Sequence, residues 1–225
     1  INRCHVVDGT WIYQGAMSHT GASMVWFQNQ FCSDLKKRAA EEGKSAFKLM
    51  DMEAERSAPG VHGIVFLPYM QGERCPVWDS YARGIFFGMS LQSRRRDMIR
   101  AILEGCGYGL RQMIEIAQRT TGQYIDEFVS LGGGAKSELW AQIKADITGK
   151  NIHILDMNDA APIGAALLAG VGVGIFRNAV EASEKVERKL YKRIVSNSDF
   201  KETYNARFRV YTELYPRLKD LFTID

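Results

Sequence analysis

The feature that most constrains this chain is the glycine triplet Gly132-Gly133-Gly134, continued by Ala135, Lys136 and Ser137, set between two segments of different periodicity. Upstream, residues 124–131 mix aromatic and β-branched side chains at near-alternating positions, which predicts a short buried strand. Downstream, Leu139, Ile143 and Ile147 recur at four-residue steps and predict one face of a helix over residues 138–147. The glycines therefore occupy a strand-to-helix turn. Glycine there removes the Cβ atoms that would block a ligand and permits positive φ. The helix that follows aims unpaired backbone N–H groups and its positive dipole end at whatever lies on the turn. An anion such as a nucleotide phosphate fits that chemistry. Taken alone, a glycine triplet favours the plainer alternative, a tight turn with close strand–helix packing.

A second junction of the same kind lies earlier. Residues 11–17 read as a strand, Ser18-His19-Thr20-Gly21 breaks it, and residues 21–31 read as a helix with Met24, Phe27 and Phe31 on one side. Gly21 either lets a phosphate or ribose approach the helix start or packs helix against strand, and the local pattern favours packing. Residues 34–43 and 47–57 predict polar, peripheral helices, and residues 63–69 an apolar strand. The loop at 71–79 brings Glu73, Arg74, Trp78 and Asp79 close together. Either carboxylate could serve as a general base, but an ion pair and a turn cap are the expected roles. Residues 83–89 predict a strand, Arg94-Arg95-Arg96 a solvated cluster, and residues 97–120 a long buried helix carried by Ile99, Ile102, Leu103, Cys106 and Leu110. Residues 151–155 predict another strand. Asp159 is the expected N-cap of a helix with Pro162 in its first turn. In that helix Gly164, Ala165 and Ala169 would allow very close packing. A Tyr/Phe stripe over residues 200–221 predicts core packing. Alternating strands and helices argue for an α/β domain with a layered mixed sheet flanked by helices.

With 225 residues, 46% hydrophobic and 24% charged, the chain is long enough for a real core. A net charge of +3 gives no argument for nucleic acid or a membrane surface, and no apolar run reaches bilayer length. The four cysteines are widely spaced with no C-x-x-C pair, which speaks against a disulfide framework or zinc site and suits a reducing cytoplasm. The four histidines are equally scattered. The start carries no secretory pattern and no initiator Met, so a fragment of a longer protein is expected.

Three stretches together resemble the FGGY family of carbohydrate kinases, specifically the C-terminal half of its xylulokinase-like branch. Gly84-Ile85-Phe86-Phe87-Gly88-Met89, and then Asp97 to Glu104, fit the family's second signature pattern at every constrained position. Leu67 to Asp79 looks like the family's LPYxxGERxPxWD segment, with Cys75 where Thr is usual. Gly132 to Ser137, with residues 159–170 behind it, is similar to the adenosine-binding segment and its following helix.

The resemblance implies an actin-like (ribonuclease-H-like) domain, the C-terminal, nucleotide-binding one of two. It implies ATP or ADP with Mg²⁺ between the domains, and a small-molecule sugar held mainly by an N-terminal domain absent from this chain. Gly133 and Gly134 would line the nucleotide, and Gly21 would lie on its phosphate side. Ser137 stands where relatives often place an Asn near the adenine, and Val25 where some carry a Gln. No residue here matches the family's catalytic aspartate. The expected activity of the parent is phosphoryl transfer to a ketopentose, with glycerol or another polyol as alternative substrate and a non-catalytic actin-like domain as the competing class. A cytoplasmic location is expected, and a homodimer is allowed for.

Overall fold

The computed structural model describes residues 2–157 and 160–223. An exposed hairpin of β1 (Asn2–Cys4) and β2 (Trp11–Tyr13) leads into three helices, α1 (Thr20–Phe31), α2 (Ser33–Glu42) and α3 (Ala46–Ala54). Strand β3 (Val65–Leu67) is wholly buried and pairs antiparallel with β4 (Ile85–Phe87). Helix α4 (Arg95–Thr121) is followed by β5 (Glu127–Ser130), α5 (Glu138–Thr148) and β6 (Asn151–Leu155). Then come α6 (Ala160–Gly172), α7 (Ala179–Glu184), β7 (Leu190–Ile194) and α8 (Lys201–Leu218). The third sheet is mixed, with β6 parallel to β5 and antiparallel to β7. The architecture is the α/β layering that the alternation of elements predicted.

Helix α4 is the axis. Its N-terminus is fixed by Asp97, whose carboxylate accepts the Arg94 N–H at 2.9 Å, and it stops at Gly122, which adopts φ 70°. Its first four turns bury Ile99, Ile102, Leu103, Cys106 and Tyr108 against α1, α3, β3, α5 and α8. Gly105 is what lets β3 approach, because a Cβ there would lie 2.3 Å from the Phe66 carbonyl oxygen. On the same stretch Glu104, 1% exposed, forms an ion pair with Arg100 at 2.8 Å and accepts the Gly60 N–H at 3.1 Å. Tyr204 of α8 donates to it at 3.4 Å and accepts from Arg100 at 3.1 Å. One carboxylate thus ties α4 to α8 and to the loop before β3.

Helix α5 has two buried faces. Trp140, Ile143 and Ile147 pack toward α4 in the main core, whereas Ala141 and Ala145 face Ile152, Ile154 and Ile194 of the mixed sheet. The small residues let the sheet sit close, and the large ones fill the space toward α4.

Several expectations need correction. The strand expected over 124–131 is short and lies at a sheet edge, with Val129 exposed, so its near-alternation marks a half-covered strand rather than a buried one. Phe31 is exposed although Met24 and Phe27 are buried, because it ends α1 at the margin of the core. Helix α3 is not peripheral, since it buries Leu49, Met50, Asp51 and Ala54. Arg95 is no free member of a solvated cluster; it bridges Asp34 and Glu53 and so ties α4 to α2 and α3.

The close packing expected of the small-residue helix is not found either. Ala165 and Ala169 of α6 are exposed, nothing lies within 4 Å of a Cβ built on Gly164, and the extensive contacts of α6 are with α7. A helix apolar on every side has no polar face to reveal which side is covered. The expected N-cap, Asp159, lies outside the described residues.

Breaking the buried pair at Glu104 alone is expected to cost about 3–5 kcal/mol, since Arg100 is left as an uncompensated buried charge. Glu104→Leu combined with Arg100→Leu is expected to cost less than the sum of the two single changes. Urea denaturation of the three variants measures both.

Candidate functional site

The two glycine junctions, far apart in sequence, converge on one cleft of about 460 Å³. Gly21 at the start of α1 forms one lip, and Gly133, Gly134 and Ser137 at the start of α5 form the other. All four residues singled out from sequence line it.

The turn between β5 and α5 is set by Gly132, whose φ of 81° and ψ of −169° only glycine adopts without strain. Residues Gly133–Lys136 then make a single 3-10 turn. The first N–H groups of such a turn have no acceptor inside it and are free to meet a ligand. Ser137 caps α5 by accepting the Trp140 N–H at 3.0 Å. Trp140 is anchored in turn by its indole N–H, which donates to the Leu103 carbonyl of α4 at 3.1 Å. A Cβ on Gly134 would meet the Trp140 ring at 3.1 Å, so this glycine is a packing glycine.

Gly21 and Gly133 differ. Nothing lies within 4 Å of a Cβ built on either one. The packing role that the local pattern favoured for Gly21 is therefore not what the structure has, and both residues line the cleft. Val25, also in the wall, presents an aliphatic surface.

Met24, Leu103, Phe47 and Trp140 make most of the remaining wall apolar. Its charged groups are Lys48, Lys136 and Asp51, with Ser45 and Ser137 beside them. Asp51 is 7% exposed, and burial holds its carboxyl above the usual carboxylate range. The Ser137 hydroxyl and the Lys48 ammonium both lie near enough to favour its charged form, which opposes the effect of burial. None of Asp51, Lys48, Lys136 and Trp140 was selected from sequence. For Asp51 a signal existed: it interrupts the apolar run Leu49-Met50-Asp51-Met52 inside a helix that must bury one face.

The loop after β3 has a different character. Glu73, 4% exposed, accepts the Ser18 and Arg74 N–H groups at 2.8 and 2.7 Å. Asp79 accepts the Tyr81 N–H at 2.8 Å and the Tyr215 hydroxyl at 2.9 Å. Both carboxylates hold the loop, as the turn-cap expectation had it. The expected ion pair is not formed among the described residues, because the Arg74 Nε donates to the Ser18 hydroxyl at 3.2 Å.

Residues 3–173 match the model of the FGGY family of carbohydrate kinases, C-terminal domain. The chain is 34% identical over 220 residues to a xylulose kinase of Staphylococcus epidermidis, covering 96% of this chain and 41% of that relative. It is 29% identical over 169 residues to a gluconokinase of Bacillus subtilis, covering 75% of this chain and 33% of the relative. The structure of a xylulose kinase from Rhodospirillum rubrum superposes with a TM-score of 0.73 at 27% identity, over 93% of this chain and 40% of that one. The chain thus spans less than half the length of these relatives, and its layers follow the actin-like fold of the family. It belongs to the FGGY family of carbohydrate kinases and carries the family's C-terminal domain.

Proposed function

We propose that this chain is the nucleotide-binding part of an ATP-dependent sugar kinase whose acceptor is a ketopentose of the xylulose type. The observation that carries the reading is the convergence of Gly21, Gly133, Gly134 and Ser137 on one cleft, with nothing within 4 Å of a Cβ built on Gly21 or Gly133. Apolar walls suit a purine base, and the N–H groups of Gly133 and Gly134 at the start of the turn and the ammonium groups of Lys48 and Lys136 suit the phosphates of a nucleotide. ATP, when bound, supplies the phosphoryl group that is transferred. Mg²⁺ would arrive with the phosphates, because no group of three or more metal-ligating side chains exists among the described residues.

The residues here bind, orient and exclude water. The base that deprotonates the sugar hydroxyl, and most sugar contacts, come from parts of the parent outside this chain. The xylulose preference is supported by the similarity to xylulose kinases, and the gluconokinase similarity makes a sugar acid a competing substrate beside the glycerol or other polyol already allowed for. No helix among the described residues is long and apolar enough to cross a membrane.

Three outcomes are expected. Titration of this chain with Mg-ADP into the millimolar range should give saturable amide shifts at residues 132–137 and at Gly21. Gly133→Val should abolish them with the fold intact, because its methyls would occupy open cleft rather than core. Undiminished shifts in that variant would remove the cleft from consideration. Second, Asp51 acts against stability. Its folded pKa is raised, so as pH rises from below the unfolded value the unfolded state ionises first and the wild type loses stability until the folded pKa is passed. Asp51→Asn should therefore gain stability relative to wild type as pH rises through that window, read by thermal melts against pH. Third, this chain alone should give no sugar-dependent ADP production. The full-length parent should give it with xylulose in preference to gluconate or glycerol, and turnover by the isolated chain would refute the division of labour.

A further inference from the structure

We propose that Asp51 selects the base of the nucleotide, accepting a hydrogen bond from the 6-amino group of adenine at the floor of the cleft between α1 and α5. The inference rests on the nucleotide reading of that cleft and adds to it the orientation of the ligand and the group that reads its base.

The cleft is graded by depth. Met24, Asp51, Leu103 and Trp140 are buried and form its floor, whereas Val25, Phe47, Lys48 and Lys136 are exposed and form its mouth. Both ammonium groups therefore stand at the mouth. The one carboxylate among the described lining residues stands at the floor. Charge alone then orients a nucleotide. Its phosphates are drawn to the two lysines and to the turn at Gly133, and the buried carboxylate repels them. The flat, apolar end of the ligand is left for the floor, where Met24, Leu103 and the Trp140 ring offer it contact.

At that floor Asp51 is the group able to tell one base from another. The Trp140 indole N–H is already given to the Leu103 carbonyl at 3.1 Å, and the Ser137 hydroxyl oxygen already accepts the Trp140 N–H at 3.0 Å. Leu103 offers only aliphatic surface. An ionised carboxylate accepts hydrogen bonds and donates none. The base of an adenine nucleotide carries N–H bonds on its 6-amino group alone, so that group is the one a carboxylate can hold. Burial raises the Asp51 carboxyl even though Ser137 and Lys48 favour its charge. The fold thus leaves part of the cost of burying this group unmet, and a donor arriving with the ligand offsets it. The side chain is also firmly placed, because α3 buries Leu49, Met50 and Ala54 around it. A site of this kind discriminates by leaving its buried acceptor unpaired when the ligand lacks the donor.

Amide-shift titrations of this chain with the Mg²⁺ complexes of ADP, GDP and purine riboside 5′-diphosphate test the proposal. The last of these lacks the 6-amino group and is otherwise ADP. ADP is expected to bind about tenfold more tightly than this analogue, the effect of one hydrogen bond to a charged group. Asp51→Leu, close in size and shape, should abolish the preference by weakening ADP and not the analogue. Equal affinity of the wild type for ADP and the analogue overturns the proposal, and that comparison stays decisive if Asp51→Leu fails to fold. A preference undiminished in Asp51→Leu overturns it too, as does GDP binding more tightly than ADP, which would put the N–H edge of guanine on the carboxylate. Absence of saturable shifts at residues 132–137 with all three ligands would overturn the nucleotide reading and this inference with it, a result distinct from binding without discrimination.

Discussion

The structure depends on a carboxylate that has no access to water. Glu104 sits inside α4, and its charge is tolerable only because Arg100, the Gly60 N–H and the Tyr204 hydroxyl surround it. These partners come from one helix turn earlier, from the loop before β3 and from the last long helix. An apolar residue would fill the volume, but hydrophobic contact has no direction and would accept α8 at more than one height along α4. A satisfied polar network fixes one height. The consequence reaches the cleft within one residue, because the carbonyl of Leu103, beside Glu104, accepts the Trp140 indole N–H and so positions α5. Ser137 caps that helix over Trp140, and the glycine turn precedes it. The open cleft therefore inherits its shape from a closed network in the core.

Much of this was legible from residue spacing. The apolar steps of α4 and α5, the turn glycines and the aromatic stripe of α8 all led to elements that exist where they were expected. Those signals are local: a helix period and a glycine say what the backbone does over a few residues. What remained hidden is what depends on neighbours. Phe31 keeps the period of Met24 and Phe27, yet it ends its helix beyond the edge of the core. Arg95 looks like one of three solvated cations until α2 and α3 deliver Asp34 and Glu53 to it. The apolar body of α6 announces burial without saying against what, and within this chain its main neighbour is α7.

Asp51 shows why a binding wall is harder to read than a core. A helix that must bury Leu49, Met50 and Ala54 has no folding reason to bury a carboxylate with them. Neighbouring Ser137 and Lys48 favour its charged form, but burial outweighs them and pushes its carboxyl above the usual range. Conflict of that kind between local pattern and local chemistry collects at sites kept for function rather than stability. In sequence the same residue stands out from Glu53 and Glu55 only by interrupting an apolar run, and its place in the cleft wall shows in the fold alone.

The glycines make the complementary case. A glycine is retained either because a neighbour occupies the space of its missing side chain, because the backbone needs a positive φ, or because that space must stay open. Sequence does not separate these causes, and here all of them occur within a few residues. Gly105 and Gly134 are crowded by Phe66 and Trp140, Gly132 is bent to φ 81°, and Gly21 and Gly133 are neither crowded nor at positive φ. The last two could carry a side chain as far as the fold is concerned. That both border the same cavity although they lie far apart in the chain is a coincidence that packing does not explain, whereas the proposed ligand between α1 and α5 would account for both positions at once.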